Sequence, residues 1–82
     1  MLMNEQNSAT KFAVCVDNSG NEVSLEIGKL YEVINDQEAV RHGYLRVIDE
    51  SGEDYWHAAS MFFLLDVPME LATTLHKVYA SV

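Results

Sequence analysis

Short runs in which apolar and polar residues alternate, separated by clusters of turn-forming residues, fill the chain between residues 11 and 65. Successive side chains of a strand point to opposite faces, so a period of two indicates strands with one buried face. β-Branched and aromatic residues, which strands favour, are frequent in these runs. The pattern predicts strands over residues 11–16, 30–34, 44–48, 53–57 and 62–65. A turn at 49–52 joins two of them into a hairpin.

Residues 35–43 carry a different signal, because they combine helix-forming side chains with a capping residue at Asn35 or Asp36 and a stop at Gly43. Together these features predict a short helix or helical turn inserted between strands. Residues 58–61 are small and polar enough for a 3₁₀ turn before the last strand.

The C-terminal segment has the period of a helix. Asp66 and Pro68 are helix-start signals. Apolar residues then recur on one face of an amphipathic helix predicted over residues 69–80, namely Leu71, Leu75, Val78, Tyr79 and Val82. A helix of this length is marginal alone in water, so the apolar stripe is expected to pack on the rest of the domain or on another chain.

A chain of 82 residues forms one domain at most. Its first ten residues are polar and aperiodic, which indicates a flexible tail. The predicted organisation is a tail over residues 1–10, a β-domain over 11–65, and a helix within 66–82 that packs on that domain or on a partner.

Two segments carry a resemblance to a known fold. Residues 25–34 place Gly28 before an apolar strand, and residues 54–62 lead from a strand through a 3₁₀-like turn into the last strand. Both segments resemble the corresponding parts of SH3-like barrels. The resemblance implies a mostly β fold: a small five-stranded SH3-like barrel with a short inserted helical turn and a C-terminal amphipathic helix.

The chain is also similar, over residues 12–65, to a group of small bacterial SH3-like barrel proteins of unknown function. The similarity is carried by residues 16–20, 24–26, 45–55 and 59–60. It implies a fold and brings no activity with it. Ala58 and Met61 stand where peptide-binding SH3 domains carry proline and tyrosine, and Tyr44 stands in place of a tryptophan. The resemblance therefore does not extend to the binding of proline-rich peptides.

Charge narrows the range of partners. Thirteen acidic and five basic side chains give a net charge of −8, and the basic residues do not cluster in the sequence. Neutralising several phosphates needs clustered cations, so nucleic acids and anionic membranes are disfavoured as partners. The expected partner is another protein or a second copy of the chain.

The expected location is the cytoplasm. Cys15 is the only cysteine, which excludes an internal disulfide, and its apolar neighbours indicate a buried structural thiol. The N-terminal residues lack the basic and apolar regions of a signal peptide. No apolar run approaches the ~18 residues of a membrane span.

Catalytic and metal-binding patterns are weak. No nucleophile motif is present, and the histidines at 42, 57 and 76 fall in different elements, so the sequence predicts neither an enzyme nor a cofactor. Residues 17–21 and 49–53 have the one-three-five spacing of an acidic calcium loop. Both lack the glycine and glutamate that complete such a loop, so they are interpreted as turns.

Large aromatic and apolar side chains near the hairpin form the candidate partner-binding set. Alternation sends Trp56 to the face opposite Tyr55, and Phe62 to the face opposite Phe63, so both faces of the sheet carry large side chains. Surfaces rich in such residues commonly bind proteins. The predicted partner-binding residues are Tyr44, Tyr55, Trp56, Met61 and Phe62.

Three functions follow as hypotheses. The first is a protein-interaction module that binds another protein through this aromatic face. The second is a structural homo-oligomer assembled through the C-terminal helix. The third is an acidic regulator that binds a divalent metal through turn carboxylates, with Asp17, Asp49, Glu53 and Asp54 as the ligands.

Overall fold

The computed structural model describes residues 11–80. Its elements in chain order are β1 (Lys11–Cys15), β2 (Leu30–Ile34), α1 (Gln37–Arg41), β3 (Tyr44–Ile48), β4 (Asp54–Ala58), a 3₁₀ turn (Ala59–Met61), β5 (Phe62–Asp66) and α2 (Met69–Ala80). The predicted fold class is confirmed, because five antiparallel strands, an inserted helix, a 3₁₀ turn and a C-terminal helix make a small, mostly β fold. The predicted tail, residues 1–10, lies outside the described residues.

The strands form one antiparallel sheet in the order β4-β3-β2-β1-β5. Strands β4 and β5 are therefore the two edges, although only the 3₁₀ turn separates them in sequence. This arrangement brings the ends of the sheet together and is compatible with a small barrel.

One face of the sheet builds the core, and we call it the inner face. Residues directly opposite each other in the register share a face, as Cys15 and Phe62 do across β1 and β5. The thiol of Cys15 is fully buried there, as the sequence predicts. The core cluster comprises Ala13, Cys15, Leu25, Tyr31, Val33, Leu45, Val47, Met61 and Phe62.

The loop between β1 and β2 shows where alternation misleads. Val23, Leu25 and Ile27 alternate with polar residues but form turns, and Val23 is 94% exposed. Only Leu25 is buried. The loop is held by the hydroxyl of Tyr31, which accepts from the amide of Glu26 at 2.8 Å.

Helix α2 lies on the other face of the sheet, which we call the outer face. Ala72 is buried, and Nδ1 of His76 lies 2.8 Å from Oε1 of Glu32 on β2. Phe12 stands directly opposite Glu32 in the register and is fully buried on that face. Of the predicted stripe, Leu71 and Val78 are exposed and Leu75 is half-buried, while the side chains of Tyr79 and Val82 lie outside the described part of the chain.

Candidate binding surface at the edge strand β4

Helix α1 positions the residues beside the edge strand β4. The Oδ1 atom of Asp36 accepts from the amide of Ala39 at 3.0 Å and caps the helix N-terminus. Ala39 is buried and fixes the helix against the sheet. The helix stops at Gly43, whose φ of 84° is a left-handed conformation that glycine adopts without strain. This short helix therefore sets the place of His42, directly before the stop.

Three rings form an aromatic stack on the outer face, consisting of His42, Tyr44 and Trp56. The centroid of Trp56 lies 5.7 Å from that of Tyr44, with 27° between the ring planes, and 6.0 Å from that of His42, with 25°. Tyr44 is 40% exposed and Trp56 is 44% exposed. The stack thus offers a contiguous aromatic surface to solvent.

Hydrogen bonds and ion pairs hold the stack in place. The indole Nε1 of Trp56 donates to Oδ2 of Asp36 at 3.2 Å. Arg46 stands opposite Trp56 in the register, and its Nε donates to Oδ2 of Asp54 at 2.6 Å. Its Nη1 lies 3.8 Å from Oδ2 of Asp36. We call Asp36, Arg46 and Asp54 the polar frame of the stack.

The polar frame keeps its carboxylates charged. The backbone hydrogen bond from Ala39 is the main cause that lowers the pKa of Asp36 below its usual 3.8, with further contributions from Trp56 and Arg46. The hydrogen bond from Arg46 lowers the pKa of Asp54 in the same way. Exposed ion pairs of this kind add little stability. The contact that orients a ring is the hydrogen bond from Trp56 to Asp36.

The structure separates the predicted partner-binding residues into three groups. Tyr44 and Trp56 come together in the aromatic stack. Tyr55 is exposed but belongs to the inner face, because it stands opposite Val47, and its hydroxyl donates to Oε1 of Glu53 at 3.2 Å.

Met61 and Phe62 are each only 8% exposed and belong to the core, so they offer no surface to a partner. Phe62 points inward because it stands opposite Cys15 on the inner face.

Sequence reasoning missed His42, Asp36 and Arg46 as parts of this surface. The position of Arg46 could be approached only to within one residue, because a hairpin turning over 49–52 pairs residue 46 with residue 55, whereas the structure pairs it with Trp56. Asp36 and His42 carried no such signal, since their place depends on how α1 packs against the sheet.

A second polar centre lies inside the domain. Buried His57 Nε2 lies 3.0 Å from Oδ2 of Asp49, and the hydroxyl of Ser51 donates to Oδ1 of the same carboxylate at 2.6 Å. Burial would raise the pKa of Asp49, but the hydrogen bonds from Ser51 and His57 outweigh it and lower the pKa. The serine hydroxyl bonds the carboxylate and not the histidine, so the arrangement is not that of an activated nucleophile.

The turn carboxylates bind their own loops. Oδ1 of Asp17 accepts from the amide of Ser19 at 3.0 Å and from its hydroxyl at 2.7 Å, as Asp49 does with Ser51. These contacts are typical of turn-forming residues. Between residues 11 and 80, no group of three or more histidine, cysteine or acidic side chains is arranged to hold a metal ion.

An open cavity of about 240 Å³ lies beside the polar frame, where the barrel-like sheet meets α1. Its walls are mostly apolar and include Val33, Leu45 and Leu64, while Asp36 and Arg46 form part of its rim. The cavity and the aromatic stack are thus continuous through two residues of the polar frame.

No protein-family model matches the chain, and comparisons with curated proteins and with solved structures find no significant similarity. In the described part of the chain, neither helix has the length and apolar character needed to cross a membrane.

Proposed function

We propose that this chain is an SH3-like protein-interaction module that binds another protein through the aromatic stack of His42, Tyr44 and Trp56. The observation that carries the proposal is a stack of rings that is half exposed and yet held in one orientation by the polar frame. Tryptophan and tyrosine dominate binding hot spots because they bury a large area and lose little conformational entropy.

Capture from the lysate of a host cell tests this proposal. The immobilised domain is compared with Trp56→Ala and with Phe63→Ser, a matched control that removes an exposed aromatic residue from the other edge strand. A protein that the wild type and Phe63→Ser retain and Trp56→Ala loses supports the proposal. If the same proteins bind all forms equally, or none bind at low salt, the proposal fails.

A second candidate function, self-association through α2, is favoured by one specific observation. The helix turns Ala72 and His76 toward the sheet, whereas Leu71 on its other side remains exposed. Light scattering of the full chain and of Leu71→Gln tests this candidate. An oligomer that becomes a monomer in the variant supports it, and a monomeric wild type removes it.

A further inference from the structure

The main chain of β4 has an open side. Two hydrogen bonds show which residue pairs of the β3–β4 hairpin are hydrogen-bonded. The amide of Asp49 donates to the carbonyl of Glu53 at 3.2 Å, and the amide of Ala59 donates to the carbonyl of Gly43 at 2.9 Å. In an antiparallel pair, hydrogen-bonded and non-bonded positions alternate. Counting from either bond, the pair of Arg46 and Trp56 is a non-bonded pair.

The amides and carbonyls of alternate β4 residues therefore point away from β3. They belong to Asp54, Trp56 and Ala58, which stand opposite Ile48, Arg46 and Tyr44. Within residues 11–80, β4 has no strand neighbour other than β3. The carbonyl of Ala58 is used as the N-cap of the 3₁₀ turn, whereas the amide of Ala58 and the outward groups of Trp56 bond to no other backbone in this range. A row of free donors and acceptors at a sheet edge is a template for a further strand.

Charge indicates what kind of strand fits. Arg46 is already neutralised by the carboxylates of the polar frame, and Arg41 pairs with Glu38 on α1. The two carboxylates of the polar frame outweigh Arg46 by one negative charge, Glu53 adds another at the start of the open edge, and the whole chain carries a charge of −8. An approaching segment with basic side chains is attracted by this field, and exposed aromatic rings add cation–π contacts with arginine or lysine.

We propose that β4 receives an extended, basic segment of another protein as a further strand. The main chain of that segment pairs with Asp54, Trp56 and Ala58, and its alternate arginine or lysine side chains lie over the aromatic stack. This inference rests on the proposed function, because it uses the same surface, and it adds the conformation and charge of the partner.

Peptide titration tests the inference. Trp56 is the only tryptophan, so its fluorescence reports on the site directly. The probe is a short peptide that alternates valine and arginine, and it is compared with a peptide that has glutamate for arginine and with one methylated at its backbone amides. The arginine peptide is expected to give a saturable change, and the methylated peptide is expected to bind at least about 10-fold more weakly, because it cannot donate to a strand.

The glutamate peptide is expected to lose binding to a similar extent, about 10-fold, through repulsion from the acidic surface. Equal affinity for the arginine and methylated peptides would overturn strand addition, and equal affinity for arginine and glutamate would overturn the charge requirement. A dimer of the free domain in which the amide of Trp56 is already protected from exchange would show that a second copy occupies the edge.

The variant Ala58→Pro isolates the main-chain contribution. Ala58 has φ −56° and ψ 130°, which a proline adopts without strain, and its outward amide bonds nothing within β3. The variant is expected to fold normally by circular dichroism and to bind the arginine peptide about fivefold more weakly, the effect of one lost hydrogen bond. Phe63→Ser, on the other edge, serves as the control with unchanged affinity.

Unchanged affinity in Ala58→Pro would overturn the inference even if the domain binds the peptide. If no peptide binds but a protein captured from lysate still depends on Trp56, strand addition is wrong and the proposed function stands. If the Trp56-dependent capture also fails, the proposed function is wrong as well.

Discussion

The two edge strands of the sheet both expose large apolar side chains, but only one of them holds these side chains in place. On β4, Trp56 is stacked on two rings and bonded to Asp36. On β5, Phe63 is 67% exposed, and Leu64 and Leu65 are exposed beside it. Among residues 11–80, no ring stack or polar frame is found around Phe63. Exposed apolar area alone therefore does not distinguish a binding surface, whereas fixed orientation does.

The largest expected effect is a difference in stability between substitutions at two neighbouring residues of β5, Phe62 and Phe63. Phe62→Ala removes a core side chain and is expected to lower the free energy of unfolding by about 3–5 kcal/mol. Phe63→Ala is the matched control and is expected to change it by less than about 0.5 kcal/mol. Urea denaturation followed by circular dichroism measures both. A similar loss for the two variants would contradict the assignment of Phe62 to the core and Phe63 to the surface.

The second prediction concerns the buried carboxylate that supports β4 from the inner face. Asp49→Asn weakens the bonds to His57 and Ser51 and is expected to cost roughly 1–3 kcal/mol of unfolding free energy. Because the pKa of Asp49 in the folded state is lowered from 3.8, the contribution of the charge is present above pH 3.8. This contribution is lost as the pH falls through the folded-state pKa of Asp49, which lies below 3.8.

The direction of this pH dependence is tested by measuring the urea midpoints of the wild type and of Asp49→Asn at a series of pH values. The difference between wild type and Asp49→Asn should shrink as the solution is made more acidic than pH 3.8. A difference that stays constant across that range would show that the charge of Asp49 contributes nothing.

The third prediction compares stability with binding at the open edge. Ala58→Pro is expected to raise the free energy of unfolding by about 0.4–1 kcal/mol, because proline restricts the unfolded chain and fits the folded backbone. Thermal denaturation checks this, with Ala59→Pro as the contrast, since the amide of Ala59 donates to Gly43 and its loss is destabilising. Equal destabilisation of both variants would contradict the outward direction of the Ala58 amide.

The smallest expected effect concerns the charge of Asp36 in the polar frame and its influence on Trp56. Asp36→Asn retains the oxygen that caps the helix, since asparagine caps helices as well as aspartate does, but it places an NH₂ group where Oδ2 accepts from Trp56. The wild-type fluorescence of Trp56 is expected to change as the pH falls through the folded-state pKa of Asp36, which lies below 3.8, and this change is expected to be reduced in the variant. An identical acid transition in both proteins would show that Asp36 is not its source.

The strand bounds could be predicted because alternation and turn formers act locally. The pairing of Arg46 with Trp56 does not follow in the same way, because the predicted turn over 49–52 pairs residue 46 with residue 55, one residue away. Alternation separates the two faces of a strand but does not say which face becomes the core. The prediction that Met61 and Phe62 bind a partner is wrong for this reason, because both are buried.

Contacts between distant elements were not predictable from local patterns. The orientation of α2 follows from the contact of His76 with Glu32, and not from its apolar stripe. The place of His42 likewise follows from packing of α1 on the sheet. In a small domain with apolar residues on both faces of its sheet, a helix can pack in several ways that are all compatible with the same spacing of apolar residues.

The buried thiol of Cys15 makes the opening of the sheet measurable by chemical labelling. It lies in the sheet strand between β2 and β5, fully shielded from solvent, and it is the only cysteine of the chain. A thiol reagent can reach it only when β1 separates from its neighbours, so the rate of labelling measures how often the sheet opens. The same reaction, run with and without a bound partner, would report how far an added strand at the distant edge slows that opening.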